Sequence, residues 1–90
     1  MGAEFTSQCD LRLASPNARF AWNFVHRGLV PDTGAGTWLL PRIVGLQPAL
    51  RLLYTGAMID ADEAISIGLA SRLAQGSVLD EAIKVAGEIA

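Results

Sequence analysis

The chain has 90 residues, with seven Lys and Arg against nine Asp and Glu, for a net charge of −2 and a pI near 5.1. That balance leaves no basic footprint for nucleic acid. The length allows one small domain at most. Cys9, the single cysteine, cannot form an internal disulfide, and with the single His26 it makes no zinc site.

Hydrophobic residues make up 51% and charged residues 18%, and the mean hydropathy is +0.34. That is richer in apolar residues than a small free-standing domain needs. A piece of a larger protein, or a subunit with covered apolar faces, explains the excess, and the first reading is preferred. The N-terminus lacks the basic region and apolar core of a signal peptide. No uninterrupted apolar stretch is long enough to cross a bilayer. The expected compartment is therefore the cytosol or an organelle matrix, with no membrane partner.

In chain order, residues 1–8 read as the first turns of a helix, with Glu4 as a first-turn acid favoured by the helix dipole. Residues 9–14 alternate polar and apolar, a strand period with Leu11 and Leu13 on one face. Ser15-Pro16-Asn17 is turn chemistry, and Ala18 to Trp22 alternates again, so a hairpin over 9–22 is expected. Pro31, Gly34 and Gly36 break the chain into a loop. A helix is expected from about Thr33 to Val44, bent or divided by Pro41 and stopped by Gly45. Leu46, Ala49, Leu50 and Leu53 recur at helical spacing, with Gly56 as the stop.

Asp60 and Glu63 resemble a capping box before a short helix closed by Gly68. Residues 71–74 read as a brief strand. Ser77 caps a last helix whose apolar stripe is Val78, Ala82, Val85 and Ile89. No stop signal precedes Ala90, and nothing lies upstream of the first helix, so both ends read as cut.

The run from Arg27 to Arg42 places Asp32 after a proline and before two glycines, at the mouth of a helix. Leu29, Val30 and Trp38-Leu39-Leu40 are apolar enough to form a pocket wall. A carboxylate against an apolar wall points toward catalysis, although Asp32 could equally cap the helix starting near Thr33. Trp22, Phe24 and Trp38 read as core or pocket-wall aromatics. His26 is read as a surface or hydrogen-bonded residue, and Cys9 as a small buried hydrophobe. Thr33-Gly-Ala-Gly-Thr37 lacks the Lys-Ser/Thr end of a P-loop and is rejected as one.

Three stretches together resemble one family. Residues 2–15 are similar to the segment that follows the oxyanion glycines of the crotonase, or enoyl-CoA hydratase/isomerase, superfamily. Ala18-Arg-Phe20 followed by Gly28-Leu-Val-Pro-Asp-Thr-Gly34 resembles its next loop. Residues 53–70 resemble its LTG-x-x-I-x-A-x-E-A-x-x-x-G-L-V stretch. The three occur in the family's order and cover nearly the whole chain.

The resemblance implies an α/β fold, part of a ββα spiral with short strands and several helices. Residues 1–90 would be an incomplete domain, the middle and later portion of the spiral core. The N-terminal turns and the C-terminal trimerisation helices would be absent. A full-length member would form a homotrimer or hexamer.

Family chemistry holds a thioester oxygen between two backbone N–H groups, one at a helix N-terminus. Here that place falls at Met1 and Gly2, and at Met1 the donor would be a terminal amine. Glu4 matches the first of the two hydratase glutamates. Phe24 stands where the second is expected and cannot act as an acid or base. Some double-bond-shifting members keep an acid near the position of Asp32, and one carboxylate can carry a proton between two carbons. Trp22, Phe24 and Pro31 would contact the acyl chain.

The resemblance thus implies an acyl-CoA enzyme, enoyl-CoA isomerase-like or hydratase-like. Its ligand would be the CoA thioester, and it would need no metal or redox cofactor. A catalytically inactive fragment, or a non-catalytic acyl-CoA-binding or interaction module, is the alternative.

Overall fold

The residues at the start of the chain form a helix, α1 (Gly2–Ser7), that turns Glu4 and Ser7 inward and leaves Phe5 exposed. Thr6 and Ser7 donate their hydroxyls back to the carbonyls of Ala3 and Glu4 at 2.8 and 2.7 Å, which ties the short helix to itself. The computed structural model describes residues 2–29 and 36–90. The expected oxyanion position Met1 and the predicted site residues Pro31 and Asp32 lie outside the described residues.

The expected hairpin over 9–22 does not form. β1 (Leu13–Ala14) pairs in parallel with β4 (Arg72–Leu73), with Leu13 opposite Arg72 and Ala14 opposite Leu73. β2 (Arg19–Phe20) pairs antiparallel with β3 (Ile59–Asp60), so that Phe20 lies opposite Ile59. Alternation along a strand sets which side chains face the core, but it does not select the partner. Pairing with the distant segments buries Ala14 and Ile59, each at 2% exposure, and adjacent-strand pairing is the reading it displaces. The Ser71 and Ala74 amides donate to the Arg12 and Ala14 carbonyls at 2.8 and 2.7 Å, extending the β1–β4 ladder at both ends. Arg12 adds an Nε–H bond to the Leu69 carbonyl and further bonds to the carbonyls of Thr6 and Cys9. Its guanidinium thereby links the end of α1 to the approach to β4.

A 3₁₀-helix over Asn23–Arg27 follows β2 and ends at Gly28 in the left-handed region, φ 67°. The sequence patterns pointed to no element there. α2 (Gly36–Val44) runs through Pro41 without dividing, and Gly45, φ 90°, separates it from α3 (Leu46–Thr55). Pro41 removes one amide donor, but the helix resumes past it and the Gly45 amide reaches the Pro41 carbonyl at 3.0 Å. α3 ends at Gly56, φ 64°, as its glycine suggested. Of the apolar repeat in α3, Ala49 is buried and Leu46 is 62% exposed, and Leu52 (1%) supplies the central contact instead.

α4 (Ala61–Ser66) opens on the expected cap, with Asp60 Oδ1 accepting from the Glu63 amide at 2.9 Å. Glu63 does not complete a reciprocal box. Its carboxylate pairs with Arg51 at 2.9 Å. α5 (Val78–Ile89) begins at Ser77, whose hydroxyl accepts from the Asp80 amide at 3.3 Å. Ala82, Val85 and Ile89 of its predicted stripe lie beside Leu11 and Leu13, yet no α5 residue is buried in this chain.

The core is one cluster, with Trp22, Leu40, Leu52 and Leu69 as its largest fully buried hydrophobes and small alanines from α3 and α4 between them. Cys9, expected to be buried, is exposed, because the turn after α1 carries it past the core before β1 begins.

Candidate active site

Glu4 is the centre of the candidate site. It lies in the first turn of α1 and is 1% exposed. Neither carboxyl oxygen has a hydrogen-bond partner among the described residues. Burying a polar group with no partner costs about 1–3 kcal/mol by protein mutational data, and more for a full charge. Buried side-chain polar atoms are paired in the large majority of cases, so a carboxyl group left this way requires an explanation.

Its surroundings show how the group is accommodated. α1 packs against α2, and the first residue of α2, Gly36, is buried. The Glu4 carboxyl fills the space where a side chain at position 36 would stand. A Cβ placed on Gly36 would come within 2.7 Å of both Cδ and Oε1 of Glu4, and closer still to Oε2. The carboxyl thus lies directly against Gly36, the first described residue of α2. The sequence marked Gly36 only as a loop breaker. Its contact with Glu4 is non-local, and no local pattern signals it.

The other predicted site residues divide between core and surface. Gly2, an expected oxyanion donor, begins α1 on the exposed side of the chain. Trp22 is 1% exposed within the core cluster, and its indole N–H has no acceptor among the described residues. Phe24 is half-buried in the 3₁₀-helix and packs on the core from its edge. Of the expected wall Trp38-Leu39-Leu40, only Leu40 enters the core. Trp38 is 57% exposed, and the Arg42 guanidinium lies 3.7 Å from its ring centroid. Residues i and i+4 share a helix face, so Arg42 covers that ring where a core partner was expected.

His26 donates from Nε2–H to the Thr55 carbonyl at 2.7 Å, joining the 3₁₀-helix to the end of α3. An open groove of about 410 Å³ between α3 and α4 is lined by Gln47, Pro48, Arg51, Leu52, Glu63 and Ile67. It contains none of the predicted site residues. Among the described residues no group of His, Cys, Asp and Glu is placed to hold a metal ion. No helix among them is long and apolar enough to cross a membrane.

Residues 1–90 match the family described as enoyl-CoA hydratase/isomerase over their whole length, and the chain belongs to that family. It is 45% identical over 89 residues to a crotonyl-CoA hydratase of Syntrophomonas wolfei, covering 98% of this chain and 34% of that protein. It is 40% identical over 88 residues to a short-chain-enoyl-CoA hydratase of Clostridioides difficile, covering 98% of this chain and 56% of that one. The fold superposes on the crystal structure of an enoyl-CoA hydratase from Bacillus anthracis with a TM-score of 0.89 at 35% identity, covering 98% of this chain and 34% of that structure. The α/β expectation, several helices with few short strands on the crotonase pattern, is therefore met. The chain spans between about a third and just over half of the length of these relatives.

Proposed function

We propose that the protein carrying this chain is an acyl-CoA enzyme in which Glu4 moves protons on an enoyl thioester. The observation that supports this reading is the buried Glu4 carboxyl, which has no partner among the described residues. Asp32 is proposed as a second proton carrier, and Met1 and Gly2 as the place of one oxyanion donor. Trp22, Phe24 and Pro31 are proposed to border the acyl chain.

In this scheme a carboxylate removes a proton from the carbon α to the thioester carbonyl, or from the γ carbon when the double bond already lies between α and β. The electron pair moves onto the carbonyl oxygen, where backbone N–H groups stabilise the enolate. The same proton returns to a different carbon, so the double bond shifts with no net gain or loss of protons. Hydration would place water on the double bond with two acids in attendance. Phe24, an aromatic half-buried against the core, stands where the second acid is expected, and this favours isomerisation. The scheme uses coenzyme A only as part of the substrate and needs no further cofactor. A homotrimer or hexamer in the cytosol or an organelle matrix is the proposed setting, with no nucleic-acid or membrane partner.

The test compares wild-type protein with Glu4→Gln and Asp32→Asn, supplied with crotonyl-CoA and with a 3-enoyl-CoA. General acid–base groups contribute typically 10²–10⁴-fold, so each variant is expected to lose turnover in about that range. Full turnover in both variants would sink the catalytic assignment. Tight acyl-CoA binding by the wild-type protein without turnover of either substrate would establish the non-catalytic binding module instead.

A further inference from the structure

We infer that Gly36 is a positioning residue for Glu4, and that its missing side chain is the seat of the carboxyl group. The inference rests on the role proposed for Glu4. It adds a second residue, on a different helix, that sets where the carboxyl lies.

Two observations carry it. First, the backbone does not ask for glycine at position 36. The left-handed glycines among the described residues are Gly28, Gly45, Gly56 and Gly68. Gly36 is a helical residue outside the left-handed region, a backbone conformation that alanine can also adopt. Second, the space a side chain would need is already filled. Glu4 Cδ and Oε1 lie 2.7 Å from where a Cβ would stand, and the carboxyl has no hydrogen-bond partner among the described residues to hold it elsewhere. Glycine at 36 is therefore explained by Glu4 and not by the fold of α2.

The expected effect follows from the distances. Carbon atoms in ordinary contact lie about 3.5–4.0 Å apart, so a methyl group at 36 forces the carboxyl to move by roughly 1 Å. A misplacement of about 1 Å at a reacting group can cost on the order of 10²-fold in rate. The residues proposed to border the acyl chain are Trp22, Phe24 and Pro31, so KM should change little.

The experiment measures kcat, KM and thermal midpoint for wild type, Gly36→Ala, Glu4→Ala and the double variant, with Glu4→Gln as the reference for loss of the carboxylate. The expected result is a kcat loss of about 10²-fold in Gly36→Ala with KM nearly unchanged. The midpoint should also fall in Gly36→Ala yet hold or rise when the same change is made on Glu4→Ala. If Gly36→Ala fails to fold but the double variant folds, the steric contact is upheld. If both fail to fold, or if the alanine is equally harmful with and without Glu4, the inference is overturned. Unchanged kcat in Gly36→Ala together with lost turnover in Glu4→Gln also overturns it, leaving the role of Glu4 standing. Retained turnover in Glu4→Gln removes that role, and the stability comparison still reports on the contact.

Discussion

Replacing Glu4 by methionine should make the protein more stable and less active at once. Methionine keeps the unbranched shape, with Sδ where Cδ lies and Cε in the place of one carboxyl oxygen. Helix propensity barely changes, since Met and Glu rank together. The carboxyl is 1% exposed and has no partner among the described residues, so its removal relieves a burial penalty of about 1–3 kcal/mol. Against this stands the lost attraction of a first-turn acid for the α1 dipole, about 0.3–1 kcal/mol. The balance is a gain of about 1–2 kcal/mol, the usual sign of a residue kept for activity at the expense of stability. Urea unfolding followed by tryptophan fluorescence measures it, with turnover assayed on the same preparations. A Glu4→Met protein destabilised by more than about 1 kcal/mol would mean that the carboxyl has a stabilising partner in the folded protein, and the account of Glu4 would be wrong.

Three further outcomes test the packing and the helix ends. Leu52→Ala, at 1% exposure in the centre of the core, should cost about 2–5 kcal/mol in urea unfolding. Leu46→Ala on the same helix, at 62% exposure, should stay within about 0.5 kcal/mol. Gly56→Ala combines a left-handed φ of 64° with a Cβ 2.9 Å from His26 Nε2, so it should destabilise by about 1–3 kcal/mol or more. His26→Ala should remove part of that penalty when the two are combined. Asp60→Ala loses the cap on the Glu63 amide and should cost about 1 kcal/mol, whereas Arg51→Ala, which breaks an exposed ion pair, should cost well under that.

Much of the architecture was legible before any coordinates because its causes are local. Ser77 and Asp60 accept from amides three residues ahead, and Gly45 and Gly56 end helices by adopting a backbone conformation that other residues resist. Signals of that kind sit within one helical turn. The family was legible too, since the three matching stretches follow one another in order along the chain. Pro41 misled only in part. Its ring removes one amide donor, and the packing of Leu40 and Val44 in the core holds the helix together across it.

What the tertiary structure decided is every relation between distant residues. Leu13 and Ala14 could have paired with the strand that follows. They pair with Arg72 and Leu73, where Ser71 bonds to the Arg12 carbonyl across 59 positions. Cys9 faces outward and Trp38 lies under Arg42 because burial depends on what arrives from elsewhere in the chain. The sequence alone identified Glu4 as an acid in a helix's first turn and, through the family, as a candidate proton carrier. Only the packing of α1 against α2 placed its carboxyl in the space left by Gly36, because steric exclusion acts between neighbours in space and leaves no periodic trace along the chain.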